Sequence, residues 1–360
     1  MLTSATSAIP VTPETTASHP GAPAIGVLCV NLGTPAAPTR RAVRAYLAEF
    51  LADRRIVEMP RALWWLILYG FVLPLRPRRS ARLYQKIWLA QGSPLLVYTQ
   101  QLTSALQRHY ATNANTVATV YVDYAMRYGQ PSIPHVLAQM AKKNVRHLLV
   151  IPLFPQYSAT TTASVFDAVS RYMQQQRWLP QMQFVMHYHE HPLYIAALVA
   201  AIKQHWQTHP AGEKLLISFH GIPQRNLEKG DPYYCYCHKT ARLIAEGLEL
   251  SADRWQLVFQ SRFGAQTWLQ PYCAETLIQL AQTGVRSVDI VCPGFAVDCL
   301  ETLEEINITY RELFLTQGGT SYHYIPALNA SLAHSHLLQS IIDQHIQPWL
   351  VTRVHSPCLV

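Results

Sequence analysis

The chain has 360 residues, of which 49% are hydrophobic and 14% are charged, and its formal net charge is +8. This length exceeds what one hydrophobic core usually holds, so we expect two domains, and the composition excludes a disordered or fibrous chain. The positive charge favours an anionic partner, but the sequence has no basic helix stripe or RNA-binding signature, which argues against nucleic acid.

The chain ends and the cysteines indicate the compartment. Residues 1–24 are rich in Ala, Thr and Pro and lack the basic and apolar regions of a secretory signal, so they predict a disordered tail. The seven cysteines have no framework spacing, which favours reduced thiols. We therefore expect a cytoplasmic protein, with a second short tail over residues 351–360.

Short β-branched runs alternate with helix-length segments along the rest of the chain. In chain order the predicted elements are 25–32 (strand), 40–52 (helix), 99–109 (helix), 116–124 (strand), 134–142 (helix), 147–154 (strand), 161–176 (helix), 183–187 (strand), 192–207 (helix), 214–220 (strand), 239–249 (helix), 256–260 (strand), 274–282 (helix), 287–293 (strand), 299–316 (helix) and 322–326 (strand). This alternation predicts an α/β fold with mostly parallel sheets. The strands divide into two sets of four, so we expect one domain over 25–175 and a second over 176–328.

An apolar segment runs from Ala62 to Leu75 and is followed at once by Arg76, Arg78 and Arg79. It is too short to span a bilayer as a helix. Aromatic residues beside a basic cluster are typical of insertion into one leaflet of an anionic membrane, with Trp64, Trp65 and Leu68 as the expected contacts. The alternative is a helix buried against the neighbouring domain.

The exits of the strands are where an open parallel sheet binds its ligand. The first strand ends in Asn31-Leu32-Gly33-Thr34-Pro35, a turn that suits close approach of backbone to a ligand but lacks the glycines of a dinucleotide fingerprint. The fifth strand ends in His220-Gly221-Ile222-Pro223. A histidine at this position is suited to metal or proton chemistry, although one histidine among sixteen is also commonly structural.

The seventh strand leads through Asp298, a candidate N-cap, into a helix that carries Glu301 and Glu305. These two carboxylates are four residues apart and are expected to share a helix face, where a cation or a proton would relieve their repulsion. Strands five and seven should bring His220 and Glu301 to one cleft edge. One imidazole and one carboxylate predict a weak site for a borderline divalent metal such as Fe(II), whereas the alternative is an ordinary solvated acidic helix.

Other side chains could bind the rest of a ligand. Arg127, after the second strand, and Arg76 and Arg79, after the apolar segment, could pair with ligand carboxylates, or could be ordinary surface arginines. Aromatic residues near strand exits could line a flat apolar pocket; they are Trp88, Tyr157, Trp268 and Phe295.

Two further clusters contain ligand-type residues in incomplete patterns. His187, His189 and His191 alternate along an extended segment, but their spacing completes no metal motif. Cys235 and Cys237 lack the C-x-x-C spacing of zinc or iron–sulfur sites. Both clusters are interpreted as structural.

Seven ordered blocks of this sequence closely resemble ferrochelatases, with the nearest likeness to the proteobacterial, protoporphyrin-using branch. The resemblance covers roughly residues 25 to 348, and its blocks are Asn31-Leu32-Gly33-Thr34-Pro35, Gly92-Ser93-Pro94-Leu95, Phe154-Pro155-Gln156-Tyr157-Ser158, Ser218-Phe219-His220-Gly221-Ile222-Pro223, Gly230-Asp231-Pro232-Tyr233, Phe259-Gln260-Ser261-Arg262 and Asp298-Cys299-Leu300-Glu301-Thr302-Leu303. It implies insertion of Fe(II) into protoporphyrin IX to form haem, with release of two protons, in the cytoplasm or peripherally on the inner membrane.

The resemblance also implies a fold of two Rossmann-like lobes, each a four-stranded parallel sheet flanked by helices, in the manner of class II chelatases. Residues 329–350 would form a last helix that packs on the first lobe. His220 matches the active-site histidine of the family and Glu301 its partner carboxylate. Glu305 matches the next acid along the helix, so the implied metal ligands are His220, Glu301 and Glu305.

For the porphyrin, the resemblance implies two groups of contacts. Leu32 and Arg127 match positions on the porphyrin face opposite the catalytic pair. Tyr84, Arg76 and Ser93 match positions near the propionates. Together with the aromatic Trp268 and Phe295, these residues form the expected porphyrin site.

Several residues depart from the family pattern, and they narrow the predicted metal relay, porphyrin substrate and cofactors. Thr309 stands one turn beyond Glu305, where relatives have a third acid, so an outer metal relay is doubtful. Leu32 replaces the Tyr of coproporphyrin-type relatives, which favours protoporphyrin IX. Cys299 replaces a histidine of animal relatives, and their cluster-binding cysteines are reduced to Cys358, so we expect no iron–sulfur cluster and no other cofactor.

Three rival functions remain open. A relative of the same fold could insert cobalt into a precorrin-type ring, two lobes could close on a small ligand as in a periplasmic receptor, or the chain could carry haem without turnover. A periplasmic receptor would need an export signal, which the sequence does not show.

Overall fold

The computed structural model describes residues 23–112, 119–264 and 266–351. It contains two parallel sheets of four strands each, with strand orders β2-β1-β3-β4 and β6-β5-β7-β8. The strands are β1 (Ala24–Gly33), β2 (Val120–Tyr128), β3 (Val145–Pro152), β4 (Gln181–Phe184), β5 (Lys214–His220), β6 (Trp255–Gln260), β7 (Ser287–Val291) and β8 (Ser321–Ile325). The predicted α/β class with two parallel sheets is confirmed.

Helices connect successive strands and cover both sheets, as parallel pairing requires. The α-helices are α1 (Arg40–Leu51), α2 (Arg61–Ile67), α3 (Leu73–Ile87), α4 (Pro94–Thr112), α5 (Ile133–Lys142), α6 (Thr162–Met173), α7 (Pro192–Thr208), α8 (Gln224–Glu228), α9 (Tyr233–Gly247), α10 (Cys273–Gln282), α11 (Arg311–Thr316) and α12 (Leu332–Val351). Two segments are π-helices, π1 (Leu68–Val72) between α2 and α3 and π2 (Glu301–Tyr310) before α11. Sequence periodicity predicted π2 and α11 as one ordinary helix.

The first lobe extends beyond the boundary that was expected at residue 175. Strand β4 begins at Gln181 and pairs in parallel with β3, so the first sheet is complete only at Phe184. The predicted tails over 1–24 and 351–360, and Cys358 with them, lie outside the described residues apart from positions 23, 24 and 351. Ala24 is the first residue of β1 rather than part of a tail.

The central strands β1 and β5 are the most deeply buried part of each lobe, because each has a neighbour on both sides and helices above and below. Helix α12 packs on β1, β3 and α4 of the first lobe and also on α7. Its buried residues Leu337, Ile341 and Ile346 belong to the same apolar cluster as Val27 and Ile217 of the two central strands. One continuous core therefore joins the lobes behind the cleft.

Candidate active site

His220 is the last residue of β5, and its backbone surroundings fix the imidazole. The ring Nδ1 lies 2.6 Å from the carbonyl oxygen of Gly221, which can only accept, so Nδ1–H donates and the neutral ring keeps its lone pair on Nε2. The Tyr233 hydroxyl donates to the His220 carbonyl oxygen at 3.0 Å. The ring centroids of Trp268 and Phe295 lie 6.4 and 6.5 Å from the imidazole. Two of the four predicted aromatic residues, Trp268 and Phe295, thus lie beside His220.

Gln260 joins His220 to the acidic helix. It is paired with His220 in the β5–β6 register and is 1% exposed. Its amide Nε2 donates to the Glu301 carbonyl oxygen at 3.0 Å, and its Oε1 accepts from Ser218 Oγ at 2.9 Å. Gln260 therefore connects the end of β5, where His220 lies, to the start of π2, where Glu301 lies, and the convergence of the two side chains at one cleft edge stays a prediction. A polar side chain at the end of a buried strand was the sequence signal for Gln260.

Glu301 begins a π-helix, a rare conformation that is concentrated at functional sites. The sequence suggested that Asp298 caps this helix, but the Asp298 side chain accepts no hydrogen bond from a backbone N–H at the helix start. Its carboxylate instead accepts from Thr302 Oγ1 at 2.9 Å and from Asn329 Nδ2 at 2.7 Å. The N-cap prediction was wrong because Asp298 is buried at the junction between the helix start and the segment after β8.

The Glu305 carboxylate is held by several donors at once. It accepts from Ser261 N at 2.9 Å, from the Tyr310 hydroxyl at 2.8 Å, from Gln260 Nε2 at 3.4 Å and from Ser261 Oγ. Burial, with the adjacent Glu305, raises the pKa of Tyr310 far above its ordinary value, so the hydroxyl remains a donor. Glu305 is thus positioned rigidly behind Glu301, and any ion that it bound would have to replace these donors.

Glu304 and Thr309 take part in a contact between the lobes. Lys86 of α3 donates to Glu304 Oε1 at 2.8 Å, and Thr309 Oγ1 donates to the same oxygen at 3.3 Å. Glu304 is 4% exposed, so its charge is compensated by this lysine. The side chain that stands in place of a third acid therefore stabilises a structural ion pair.

A cavity between the lobes brings several predicted ligand contacts together. Leu32, Tyr84 and Ser93 line it from the first lobe, and Cys299 and Glu301 line it from the second. Burial, with the charge of Glu301, raises the pKa of Tyr84 well above its ordinary value, so its hydroxyl is a permanent donor. The first lobe thus presents Leu32 beside hydroxyl side chains, and the second presents Glu301, to one space.

Tyr46 is a lining residue that the sequence analysis did not single out. Its hydroxyl donates to the Gly33 carbonyl oxygen at 3.2 Å. Gly33 has a φ of +109°, and a Cβ at this position would lie 1.8 Å from the Tyr128 carbonyl oxygen. Glycine is therefore required where β1 turns into the cavity.

Arg127 does not point free into the cleft as a carboxylate receptor. Its Nη2 donates to Asp53 Oδ2 at 2.5 Å and its Nε donates to Ser164 Oγ at 2.7 Å. Asp53 also accepts from the Tyr128 hydroxyl at 2.8 Å, and the Arg127 and Asp53 side chains are 11% and 9% exposed. Burial opposes ionisation, but hydrogen bonds from Ser164, Arg55 and Tyr128 and the Arg127 charge hold the pKa of Asp53 below its ordinary value.

Arg76 lies at the cleft mouth. Its guanidinium stacks 4.2 Å from the centroid of the Phe263 ring, which joins α3 of the first lobe to the loop after β6. The indole N–H of Trp268, whose ring lies 6.4 Å from the His220 ring, is buried and has no acceptor among the residues that the structure describes. An unpaired buried donor beside His220 is a position that a polar ligand atom would satisfy.

In the apolar segment before Arg76, two of the three side chains predicted to contact a membrane are not exposed. Trp64 and Leu68 are buried, and the Trp64 indole N–H donates to the Leu51 carbonyl oxygen at 2.7 Å. The most exposed side chains are Leu66, Phe71 and Leu75, at 71%, 68% and 71%. No helix among the described residues is long and apolar enough to cross a bilayer.

The two incomplete clusters have local structural contacts. His189 stacks on Tyr236 with 3.9 Å between ring centroids, and burial lowers the pKa of His189 to about 4. His191 Nδ1 accepts from the Leu193 N–H at the start of α7. Cys237 is buried whereas Cys235 is exposed, so these thiols face different environments.

Comparison with known proteins identifies the family. The family model described as Ferrochelatase matches residues 24–346. A protein named Ferrochelatase from Marinobacter nauticus is 52% identical over 329 residues, covering 90% of this chain and 87% of the relative. Its counterpart from Idiomarina loihiensis is 50% identical over 337 residues, covering 94% and 92%.

Among solved structures, SirB from Bacillus subtilis with Fe3+ aligns with a TM-score of 0.54 at 11% identity, covering 91% of this chain and 97% of SirB, which shows a common fold. The family model and the sequence relatives show that the chain belongs to the ferrochelatase family, the metal-inserting enzymes of haem biosynthesis.

Proposed function

We propose that this chain inserts Fe(II) into protoporphyrin IX in the cleft between its lobes, with release of two protons. The observation that supports the proposal is that Gln260, which pairs with His220 in the sheet register, bonds to the carbonyl oxygen of Glu301, a residue that lines the cavity together with Leu32 and Tyr84. Metal insertion needs a group to remove the pyrrole protons and a rigid cavity to hold the ring out of plane. Packing of the two lobes into one core supplies such rigidity, and ring distortion is offset by binding energy elsewhere.

His220 and Glu301 are proposed to perform the proton and metal steps. The Nδ1–H bond to the Gly221 carbonyl oxygen leaves Nε2 as the atom that accepts a proton or binds the incoming iron. Glu301 would then receive the proton and pass it towards Glu305. The Glu305 carboxylate is held in place by hydrogen bonds from Ser261 N and the Tyr310 hydroxyl. Two orders of events, proton removal first or iron binding first, remain alternatives.

The ring is proposed to lie between Leu32 on one face and His220 on the other, with Trp268 and Phe295 beside His220. Tyr84, Ser93 and Arg76 would lie near the propionates. Arg127 is proposed to act indirectly, because its contacts with Asp53 and Ser164 use its charge to fix the end of β2. The apolar Leu32 favours protoporphyrin IX, and no iron–sulfur cluster or other cofactor is proposed.

The decisive experiment is an anaerobic fluorescence assay of the purified chain with protoporphyrin IX and Fe(II). His220→Ala should abolish metallation and leave porphyrin binding largely intact, since the ring contacts remain. His336→Ala, an exposed histidine of α12, is the control and should retain full activity. Near-normal turnover by His220→Ala would refute the proposal. Parallel reactions with Co(II) and sirohydrochlorin test the rival chelatase, which predicts faster turnover with that pair.

We also propose that the exposed apolar side chains from Ala62 to Leu75, with the arginines that follow, bind the anionic surface of the inner membrane from the cytoplasm. Leu66, Phe71 and Leu75 are mostly exposed on one short stretch beside Arg78 and Arg79. Apolar groups that enter the headgroup region and arginines that pair with acidic lipids act together in such contacts.

This contact is tested with vesicles. Leu66→Ser together with Phe71→Ser should weaken sedimentation with anionic vesicles by about tenfold or more, because burial of each large apolar side chain contributes about 1.5–3 kcal/mol. Leu332→Ser, which changes an exposed leucine of α12 far along the sequence, is the matched control. Unchanged sedimentation of the double variant would contradict a membrane role for this segment.

A further inference from the structure

A second group of ligand-type side chains lies in the second lobe, outside the cleft. His205 comes from the last turn of α7, Asp289 from β7 and His323 from β8, and Asp289 pairs with His323 in the sheet register. One potential ligand atom from each residue lies within 4.8 Å of the other two. Over residues 23–112, 119–264 and 266–351, this is the only group of three or more His, Cys, Asp or Glu side chains with that geometry.

The Asp289 carboxylate is buried and oriented in the way that metal-binding carboxylates usually are. It is 1% exposed, and its Oδ2 accepts from Trp206 Nε1 at 2.6 Å and from Gly212 N at 2.8 Å. Its Oδ1 has a different neighbour, His323 Nδ1, at 3.1 Å. Two N–H donors therefore fix one oxygen and leave the other directed at the histidines, which is the role that outer hydrogen bonds play around bound metals.

The Asp289 carboxylate is surrounded by N–H groups but, among the described residues, by no permanently charged partner. Among the described residues no lysine or arginine forms an ion pair with it, and its one ion-pair partner is His323, which is charged only when protonated. A buried carboxylate is costly unless a cation or a set of strong donors accompanies it. A divalent ion between Asp289 and the imidazoles would supply that charge.

The imidazoles provide the other ligand atoms. His205 Nε2 is buried and has no hydrogen-bond partner among the described residues, and the His205 and His323 ring centroids are 5.5 Å apart. His209 stacks on His205 at 4.3 Å and lies 5.2 Å from His323, so three imidazoles surround one carboxylate. Unpaired ring nitrogen next to a carboxylate is explained by an ion that both would bind.

We propose that His205, Asp289 and His323 form a second metal site, separate from the iron-insertion centre, that binds a divalent transition metal of the Zn²⁺ type. Two imidazoles and one carboxylate suit Zn²⁺, Co²⁺ or Fe²⁺ and not the oxygen-preferring Mg²⁺ or Ca²⁺. Water or His209 completes the coordination. The bound ion links the end of α7 to β7 and β8.

The position of this site separates it from the cleft. Asp289 pairs with Leu215, five residues before His220 on β5, which places the two sites about 16 Å apart along the strand direction. The site lies towards the opposite end of the sheet from the strand exits that form the cleft. Metal at this site therefore stabilises the lobe without taking part in the insertion reaction.

The test uses Co²⁺ as a visible probe and Zn²⁺ as a competitor, with the full chain dialysed against chelator. Binding is counted in a His220→Ala/Glu301→Gln background, so the outcome does not depend on the proposed insertion chemistry. When Co²⁺ is added after the chelator is removed, one equivalent should stay bound and show the absorption bands of a nitrogen- and oxygen-ligated ion. Zn²⁺ should displace it.

Adding His205→Gln to that background should weaken Co²⁺ binding by at least 10–100-fold, the loss already seen when only an outer partner of a metal ligand is removed. His205 Nε2 makes no hydrogen bond to lose, so the variant should fold, and circular dichroism checks this. His323→Gln should give the same loss, whereas His135→Gln, an exposed histidine of α5, should not. Zn²⁺ should raise the Tm of the background and not of the His205→Gln form. Retention of Co²⁺ at unchanged affinity in His205→Gln, or the absence of the bound equivalent from the background, would overturn the proposal.

Discussion

In the first lobe the central strand β1 brings Leu32 to the cleft beside Arg127 of β2, and in the second lobe β5 brings His220 beside Gln260 of β6. The two sheets have the same strand order, so these pairs occupy corresponding places. In both lobes the polar residue on the outer strand is nearly buried and bonds to its own lobe. The lobes differ mainly near the end of the central strand, where β1 carries the apolar Leu32 and β5 carries the His220 imidazole.

A buried polar residue at a strand exit is therefore not by itself a ligand contact. Arg127 and Gln260 both fix the geometry of their neighbours, Arg127 through Asp53 and Gln260 through Glu301. Only the second of these partners faces the cavity. Loss of the Arg127 partner should therefore affect stability, and loss of the Gln260 contact should affect catalysis.

After the loss of activity expected for His220→Ala, the largest expected effect on rate comes from the Glu301 carboxylate. Glu301→Gln should lower kcat about 10²–10⁴-fold, the range for loss of a general acid or base, because the amide cannot accept the proton. Steady-state metallation assays with protoporphyrin IX measure this loss. Glu312→Gln, on the neighbouring α11, is the matched control and should retain activity. A decrease of less than tenfold in Glu301→Gln would assign the proton step to another group.

The next effect is on folding. Asp53→Ala should lower the free energy of unfolding by about 3–5 kcal/mol at pH 7, because it leaves the nearly buried Arg127 without its partner. The more exposed pair of Asp167 with Arg55, whose side chains are 36% and 37% exposed, is the control, and Asp167→Ala should cost about 1 kcal/mol. Urea denaturation measures both. Equal losses would show that burial does not distinguish the two pairs.

The same pair predicts a pH dependence. The folded-state pKa of Asp53 is lowered, so its contribution is present above the ordinary carboxyl pKa and is lost as the pH falls through the lowered value. The difference between wild type and Asp53→Ala should therefore be constant from pH 7 to about 5 and shrink below about pH 4. A difference that grew on acidification would contradict this assignment.

Sequence reasoning predicted the alternation of elements and placed His220 at the end of a strand and Glu301 on the helix after the seventh strand, because apolar β-branched runs and strand exits are local signals. It did not predict the partner of Arg127, since Asp53 lies 74 residues away and no local pattern links the two. It also did not predict the π-helices. Trp64 and Leu68 are four residues apart and share the buried face of an ordinary helical turn, whereas the i→i+5 bonding of π1 brings Leu73, five residues after Leu68, to the same buried face.

The substitution with the smallest expected effect on rate is at Gln260, and it distinguishes the two lobes most directly. Gln260→Leu removes the amide that holds the Glu301 carbonyl oxygen, so kcat should fall by about 10-fold to 10²-fold through misplacement of Glu301, while KM for the porphyrin stays within about twofold. Stability should fall by about 1–3 kcal/mol, because Ser218 Oγ loses its acceptor.

Gln156→Leu is the matched control for this substitution, since Gln156 is equally buried and donates to Thr240 Oγ1 at 3.0 Å, with no bond to Glu301. It should lose similar stability and keep its kcat. If both variants lost kcat to the same extent, the effect of Gln260 would be general packing, and the two lobes would differ only in His220. A loss of kcat confined to Gln260→Leu would instead mean that the second lobe is catalytic through two strands, with β5 supplying the imidazole and β6 positioning the carboxylate.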